Sequence, residues 1–104
     1  MIRLAQKLTE TLSCHRFKHA AFVIKGGSII AMAPNHHRHA EVAALSKLWP
    51  SKRKGTTVLS LRVTRSGLLA MAKPCEKCMR FMLTHGVRKI MYSTSEREIE
   101  IERY

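Results

Sequence analysis

The sequence contains no aspartate and few acidic residues of any kind. Lys and Arg together number 19 against 7 for Asp and Glu, which gives a formal net charge of +12. Four of the seven glutamates fall in residues 96–104, so residues 1–95 hold 17 basic and 3 acidic side chains, a charge of +14. A field of this sign disfavours cationic partners and favours polyanions or phosphorylated ligands. The same excess would also suit a merely soluble cationic surface.

Cysteine, aromatic residues and long apolar runs are also scarce. Three cysteines, an odd number, do not suggest a disulfide framework, so we expect a reducing, cytoplasmic location. No apolar run approaches membrane-spanning length and the amphipathic N-terminus has no signal-peptide core, so we expect no membrane partner. A chain of 104 residues predicts one small domain over 1–104, which a bound metal or a homo-oligomeric contact would help to stabilise.

Two short motifs supply groups with metal and acid–base chemistry. In the run Lys73-Pro74-Cys75-Glu76-Lys77-Cys78, a helix opened by Pro74 places both thiols on one side of its first turn, where the helix N-terminus lowers thiol pKa. His39 supplies a third ligand, and no further ligand motif closes the set. Three protein ligands with one open position are typical of catalytic rather than structural zinc. Glu41, two residues after His39, is placed to handle protons beside that position.

The order H-x-E followed by P-C-x-x-C, carried here by His39, Glu41, Pro74, Cys75 and Cys78, resembles the signature of the zinc-dependent cytidine deaminase superfamily. With the order of secondary structure, the resemblance extends over residues 19–104. It implies one Zn²⁺ per subunit on the histidine and two cysteines, with the glutamate as general acid/base and not a ligand. It also implies hydrolytic deamination at C4 of a cytosine or C6 of an adenine.

The predicted elements follow the order helix, two strands, helix, strand, helix, two strands. Periodicity and turn residues predict helices over 2–12, 39–48 and 75–84 and strands over 20–25, 29–33, 57–64, 87–93 and 96–104. The apolar residues 68–72 form either an extra hairpin arm or a bulged strand. The last connection is too short for a parallel crossover, so the final two strands are predicted antiparallel. The resemblance implies a three-layer α/β/α sandwich with one mixed sheet of about five strands.

The second motif helix carries a predicted buried stripe and a predicted end. The stripe is formed by Cys75, Cys78, Met79, Met82 and Leu83, and Gly86 is expected to cap the helix C-terminus. Phe81 falls off this stripe, as either a subunit contact or a flank of the core. Cys14 could be considered as a fourth ligand, but a lone cysteine at a helix end is more often an ordinary buried thiol.

Substrate contacts are expected where the second strand ends and at the motifs. In the superfamily an asparagine near Asn35 contacts the nucleoside, usually farther upstream of the histidine, whereas an asparagine after a proline also suits a turn. The basic residues that follow it suit a phosphate better than a ribose hydroxyl. We expect the substrate site to contain Asn35, His37, Arg38, Ala40 and Pro74. Nucleic-acid contacts are expected from the basic loop 51–55 and the next strand, at Lys52, Arg53, Lys54 and Arg62.

Three functions fit these features. The first is a zinc deaminase acting on cytosine in single-stranded nucleic acid, which the charge favours; the aromatic content of 6% argues against it, because such proteins use aromatic rings for base stacking. The second is a deaminase of free cytidine or deoxycytidine nucleotides or nucleosides, which the antiparallel ending favours. The third is a non-enzymatic, zinc-stabilised nucleic-acid-binding module, which would not require Glu41. The first is our leading hypothesis from the sequence.

Overall fold

The chain forms a mixed β-sheet with helices between its strands. The computed structural model describes residues 19–34, 39–63, 69–95 and 98–104. In these ranges the strands are β1 (His19–Lys25), β2 (Ser28–Pro34), β3 (Thr57–Val63), β4 (Leu69–Ala70), β5 (Lys89–Ser95) and β6 (Glu98–Arg103). The helices are α1 (Ala40–Ser46), α2 (Pro50–Arg53) and α3 (Glu76–Thr84). The predicted helix over 2–12 and Cys14 lie outside the described residues.

The strand order is β2-β1-β3-β5-β6, with β4 paired to β3 off this path. β3 and β5 are parallel, joined by a crossover that contains α3, and every other pair is antiparallel. The predicted antiparallel final pair is therefore confirmed. β4 pairs Ala70 with Arg62 and Leu69 with Val63, so in the described part of the predicted segment 68–72 these two residues form an arm antiparallel to β3 and not a bulge within one strand.

A two-residue turn joins β1 to β2, whereas the predicted strands 20–25 and 29–33 left a connection over residues 26–28; Ser28 instead begins β2. Gly26 and Gly27 have φ angles of 60° and 78°, and Lys25 pairs with Ser28 across the turn. Positive φ at both central residues is the type I′ geometry, whose twist matches that of two antiparallel strands. The turn fixes the register of β1 against β2, and β1 also pairs with β3 so that its start lies opposite the end of β3, where His19 pairs with Arg62.

Both faces of the sheet are buried, which is why its central strands are apolar on both sides. The first face packs against α1 and α3 through a core that includes Val23, Leu45, Val58, Met82 and Ile90. The second face holds Phe22, Leu59, Leu61 and Met91, and no described helix contributes to it. The fold is the predicted α/β architecture with one mixed sheet. No helix among the described residues is long and apolar enough to cross a membrane.

Two predicted elements differ from the structure. The first motif helix ends at Ser46 instead of near Leu48, and the basic run 51–55, predicted as a loop, begins inside α2. Pro50 is the cause, because it breaks α1 and, with its fixed φ, is well suited to the first position of a new helix.

The predicted stripe on α3 is right for its centre and wrong for its ends. Cys78 and Met82 are buried, but Cys75 is exposed and Leu83 is 39% exposed. Cys75 is the N-cap with extended backbone (ψ 165°), so helical periodicity does not govern it. Phe81 packs against the first core, as the flank alternative proposed. Gly86 follows the helix with φ 86°, which confirms the predicted glycine cap.

Candidate metal centre and active site

The N-terminal ends of α1 and α3 bring together the three side chains that the motifs predict as metal ligands. His39 is the N-cap of α1 and Cys75 the N-cap of α3, with Cys78 one turn into that helix. One ligand atom from each lies within 4.8 Å of the other two, and His39 Nδ1 lies 3.7 Å from Cys75 Sγ. Zinc bonds of about 2.3 Å to sulfur and 2.1 Å to nitrogen place tetrahedral ligand atoms roughly 3.5 to 3.8 Å apart. This donor set and its spacing fit zinc.

The two thiols have different electrostatic surroundings. The pKa of the exposed Cys75 thiol is below its usual value, mainly because the backbone N–H of Cys78 hydrogen-bonds to its sulfur. Burial instead raises the pKa of Cys78 far above its usual range, and the Cys75 thiol and the Glu41 carboxylate raise it further. The expectation that the helix N-terminus lowers both pKa values therefore fails at Cys78. Coordination of a divalent cation would overcome the raised pKa of Cys78, because a bound cation deprotonates a coordinating thiol outright.

Glu41 is the one buried acidic side chain in the described part of the chain, with 1% of its surface exposed. Burial raises its carboxyl pKa, but hydrogen bonds with His19, its own backbone and Ser60 outweigh burial and leave the pKa below its ordinary value. Oε1 accepts a hydrogen bond from Ser60 Oγ at 2.9 Å. Oε2 is buried and has no hydrogen-bond partner in the described part of the chain. An ionised carboxylate with one held oxygen and one unpaired oxygen is suited to accept a proton.

Sequence reasoning missed His19 and Ser60, which both contact Glu41. His19 Nε2 lies 3.2 Å from Glu41 Oε1 and 2.7 Å from Ser60 Oγ. One signal was present: Ser60 is a polar residue on the same strand face as Val58, and that face is buried against α1. A small polar residue in a buried strand needs a partner. The sequence holds no comparable signal for His19.

The predicted substrate residues are only partly within the described ranges. Asn35, His37 and Arg38 lie outside them. Ala40 is fully buried as the first residue of α1, and Pro74 is buried directly before Cys75. Both therefore flank the ligands, and their contact with a substrate stays a prediction.

Two of the predicted nucleic-acid residues, Lys52 and Arg53, lie away from the N-terminal end of α1. Lys52 and Arg53 belong to α2, which follows the C-terminal end of α1, while His39 is at its N-terminal end; α1 has seven residues and is about 10 Å long. Arg53 donates to the Leu48 carbonyl oxygen at 3.0 Å and lies 3.1 Å from His85 Nδ1, so its guanidinium already has protein partners. Lys52, Lys54 and Arg62 are exposed. Nucleic-acid contact by these four residues stays a prediction.

A mixed α/β sheet with a His-Cys-Cys cluster at two helix N-termini and an adjacent buried glutamate defines the deaminase class that the motifs resemble. The family described as the cytidine and deoxycytidylate deaminase zinc-binding region matches residues 1–94. The chain belongs to this family. It is also similar to the crystal structure of a dCMP deaminase from the cyanophage S-TIM5 in its apo form, with 25% identity and a TM-score of 0.58. That similarity covers 89% of this chain and 82% of the phage protein. A search of curated proteins gave no match.

Proposed function

We propose that the protein deaminates the cytosine of a free deoxycytidylate-type nucleotide by zinc-dependent hydrolysis. The observation that carries the chemistry is the unpaired, buried Glu41 Oε2 in a carboxylate that adjoins the cluster of His39, Cys75 and Cys78. A purely structural zinc site needs four protein ligands and no buried carboxylate beside them. The similarity to a dCMP deaminase supports the nucleotide as substrate and reverses the order of preference drawn from charge alone.

The residues of the site divide the work between holding a metal and moving protons. His39, Cys75 and Cys78 would hold the zinc ion. When bound, zinc acts as a Lewis acid that makes water nucleophilic near neutral pH. Glu41 takes a proton from water at Oε2 and delivers protons to the ring nitrogen and to the amino group that departs from C4. The balance is one water consumed and one ammonia released for each cytosine converted to uracil.

The ionisation of Glu41 suits this role. Because hydrogen bonds and the charge of His19 hold the pKa of its carboxyl below the ordinary value despite burial, the ionised form is favoured and is ready to accept the first proton. General acid–base steps of this kind contribute roughly 10²- to 10⁴-fold each. The segment 35–38 directly precedes His39 in the sequence and contains His37 and Arg38. Its side chains supply positive charge or hydrogen-bond donors, and such groups favour a substrate that carries a phosphate.

A second candidate is deamination of cytosine within single-stranded nucleic acid, and two observations favour it. The net charge of +12 suits a polyanion. Trp49, at 79% exposure, lies directly before α2 and its Lys52, so a base-stacking surface and a phosphate contact occur together. Both lie toward the C-terminal end of α1, away from His39, which is why this candidate ranks second.

Turnover measured side by side separates these functions. Zinc-loaded protein would be incubated with dCMP, dCTP, cytidine, single-stranded DNA and RNA, and the conversion of cytosine to uracil would be followed by mass spectrometry. We expect turnover of dCMP and none of the polymers. Robust turnover of the polymers with none of dCMP would support the second candidate. No turnover of any substrate by protein with a full zinc content would contradict both.

A further inference from the structure

A buried hydrogen-bond network connects Glu41 to two residues that neither motif contains. Ser60 Oγ, on β3, lies 2.9 Å from Glu41 Oε1, 2.9 Å from the backbone carbonyl oxygen of Ala72 and 2.7 Å from His19 Nε2. His19, the first residue of β1, also approaches Glu41 Oε1 at 3.2 Å. Ser60 is fully buried and Glu41 is 1% exposed, so bulk water does not compete for these contacts.

Counting hydrogens assigns the donors in this network. A serine hydroxyl has one hydrogen, yet Ser60 Oγ faces two acceptors, Glu41 Oε1 and the Ala72 carbonyl oxygen. If His19 Nε2 had no hydrogen, it would add a third acceptor around the same hydroxyl, and a buried carboxylate oxygen or carbonyl would be left without a donor. A hydrogen on Nε2 removes the conflict when His19 donates it to Glu41 Oε1, because Ser60 can then donate to the Ala72 carbonyl oxygen and both acceptors are satisfied.

The result of this arrangement is an asymmetric carboxylate. Oε1 lies within hydrogen-bonding distance of side chains on two strands, His19 on β1 and Ser60 on β3, whereas Oε2 has no partner among the described residues. These contacts restrict the rotation of the carboxylate plane, so Oε2 keeps one direction. Proton transfer depends on such placement, and a misplacement of about 1 Å can cost on the order of 10²-fold in rate.

We propose that His19, donating from Nε2 to Glu41 Oε1, is a positioning residue that orients Glu41 for proton transfer. This inference rests on the proposed deaminase function. His19 does not touch the ligand cluster in this arrangement; it acts through Glu41. Its loss therefore lowers kcat while leaving KM and zinc content nearly unchanged.

The kinetic test compares variants of the zinc-loaded protein with dCMP as substrate. His19→Ala is expected to lower kcat by about 10- to 100-fold, the range seen when partners that orient functional side chains are removed. His19→Gln can place an amide N–H near the Nε2 position and is expected to recover most of the loss, whereas the shorter His19→Asn is not. His85→Ala is the matched control, since His85 is another half-buried histidine with one side-chain partner, Arg53, and lies outside the site. It is expected to keep wild-type kcat.

A measurement that does not depend on activity tests the donor assignment. Long-range ¹H–¹⁵N spectra of the zinc-loaded protein identify which ring nitrogen of His19 carries hydrogen. A hydrogen on Nε2 is expected, and an Nε2 without one would overturn the proposal. Unchanged kcat in His19→Ala, or a loss of kcat that follows an equal loss of zinc, would overturn it too. If His19→Ala does not fold, the comparison of His19→Gln with His19→Asn replaces it, and equal kcat values in these two variants would overturn the proposal.

Failure of the proposed function gives a different result. If the wild-type protein with full zinc content turns over no cytosine substrate, the deaminase assignment fails, and with it the catalytic purpose of the network. The NMR spectra then still decide whether His19 donates to Glu41. If the wild type is active and the His19 variants are unaffected, only the positioning role fails.

Discussion

Cys75 and Cys78 are three residues apart, yet the fold gives their thiols opposite acidities. Cys75 is exposed at the helix N-cap, where the backbone N–H of Cys78 lowers its pKa, and Cys78 is buried, which raises its pKa. The helix N-terminus favours a thiolate in both positions, but the desolvation of Cys78 is the larger effect. Cys75 is therefore the thiolate that forms first as the pH rises, and a metal must displace the proton of Cys78.

The first prediction concerns the reactivity of these thiols without metal. After zinc removal by a chelator, iodoacetamide at neutral pH should modify Cys75 well before Cys78, because a lowered pKa gives a larger thiolate fraction at a given pH and Cys75 is accessible. Mass spectrometry of proteolytic peptides gives the rate at each site, and circular dichroism checks that the protein is still folded. Equal rates in folded protein would contradict the assigned acidities.

The second prediction concerns metal stoichiometry. Metal analysis of the purified protein should give one zinc per chain, and Cys75→Ser or Cys78→Ser should lose most of it, since each variant removes one of three ligands. Cys14→Ser is the matched control, because it makes the same substitution at the third cysteine, and it should retain zinc. Retention in the double Cys75 and Cys78 variant, or loss in the Cys14 variant, would show that the ligand set is wrong.

The third prediction separates proton transfer from metal binding. Glu41→Gln preserves the shape of the side chain and its contact with Ser60 but removes the proton acceptor. We expect a kcat lower by at least about 10²-fold with an unchanged zinc content. The measurement is dCMP turnover together with metal analysis. Loss of zinc in parallel with activity would indicate that Glu41 holds the metal or its ligands.

At the scale of elements, the end of α3 and the start of β3 are connected through a glycine. Gly86 has φ 86°, and its carbonyl oxygen accepts a hydrogen bond from the Gly55 N–H at 2.8 Å. A Cβ at Gly86 would lie 3.0 Å from the backbone Cα of Lys54. The left-handed backbone and this close approach both require glycine, and together they fix where α3 ends and how β5 enters the sheet.

The fourth prediction uses two glycines with similar backbones. Gly86→Ala should lower the free energy of unfolding by more than the 1–2 kcal/mol or so that a left-handed residue costs, because the Lys54 backbone must also move. Gly26→Ala is the control, since Gly26 has φ 60° but nothing within 4 Å of an added Cβ. Urea unfolding of both variants gives the difference. An equal loss of stability would mean that the contact with Lys54 has no cost.

At the scale of the whole molecule, charge is distributed unevenly along the chain. The acidic residues are concentrated near β6, the last strand, while residues 1–95 are strongly basic. Among the described basic residues, Lys52 and Lys54 are exposed and Arg53 is held by Leu48 and His85. A test of nucleic-acid binding should therefore change the two lysines and leave Arg53, because its removal would also perturb packing.

The fifth prediction concerns how many of the basic side chains contact the phosphates of a bound polynucleotide. Each single-strand phosphate contacted adds roughly 0.7 to the slope of log affinity against log salt. We expect oligonucleotide binding to be weak, and Lys52→Ser with Lys54→Ser to reduce it while sparing dCMP turnover. Lys89→Ser with Arg103→Ser removes the same charge from a cross-strand pair on β5 and β6 and is the control. A slope of several units with turnover of the bound oligonucleotide would favour the polynucleotide function.

What the sequence by itself determined was the chemistry whose spacing is local. The positions of His39 and Glu41, and of Cys75 and Cys78, are set within one helical turn, so the motif predicts a group of ligands and a nearby acid/base before any fold is known. The antiparallel pairing of the last two strands was also predictable from the sequence, because the short link between them allows no parallel crossover. The glycine turn and the glycine cap followed from backbone sterics alone.

Only the tertiary structure decided which distant residues complete the site. Ser60 and Glu41 are 19 residues apart and His19 and Ser60 are 41 apart, and no periodicity relates them. Their meeting depends on the register of β1 against β3 and on the packing of α1 over that face. The acidity of Cys78 likewise depends on burial by the assembled core. Periodicity specifies which face a side chain occupies, whereas its partners are set by how the elements pack.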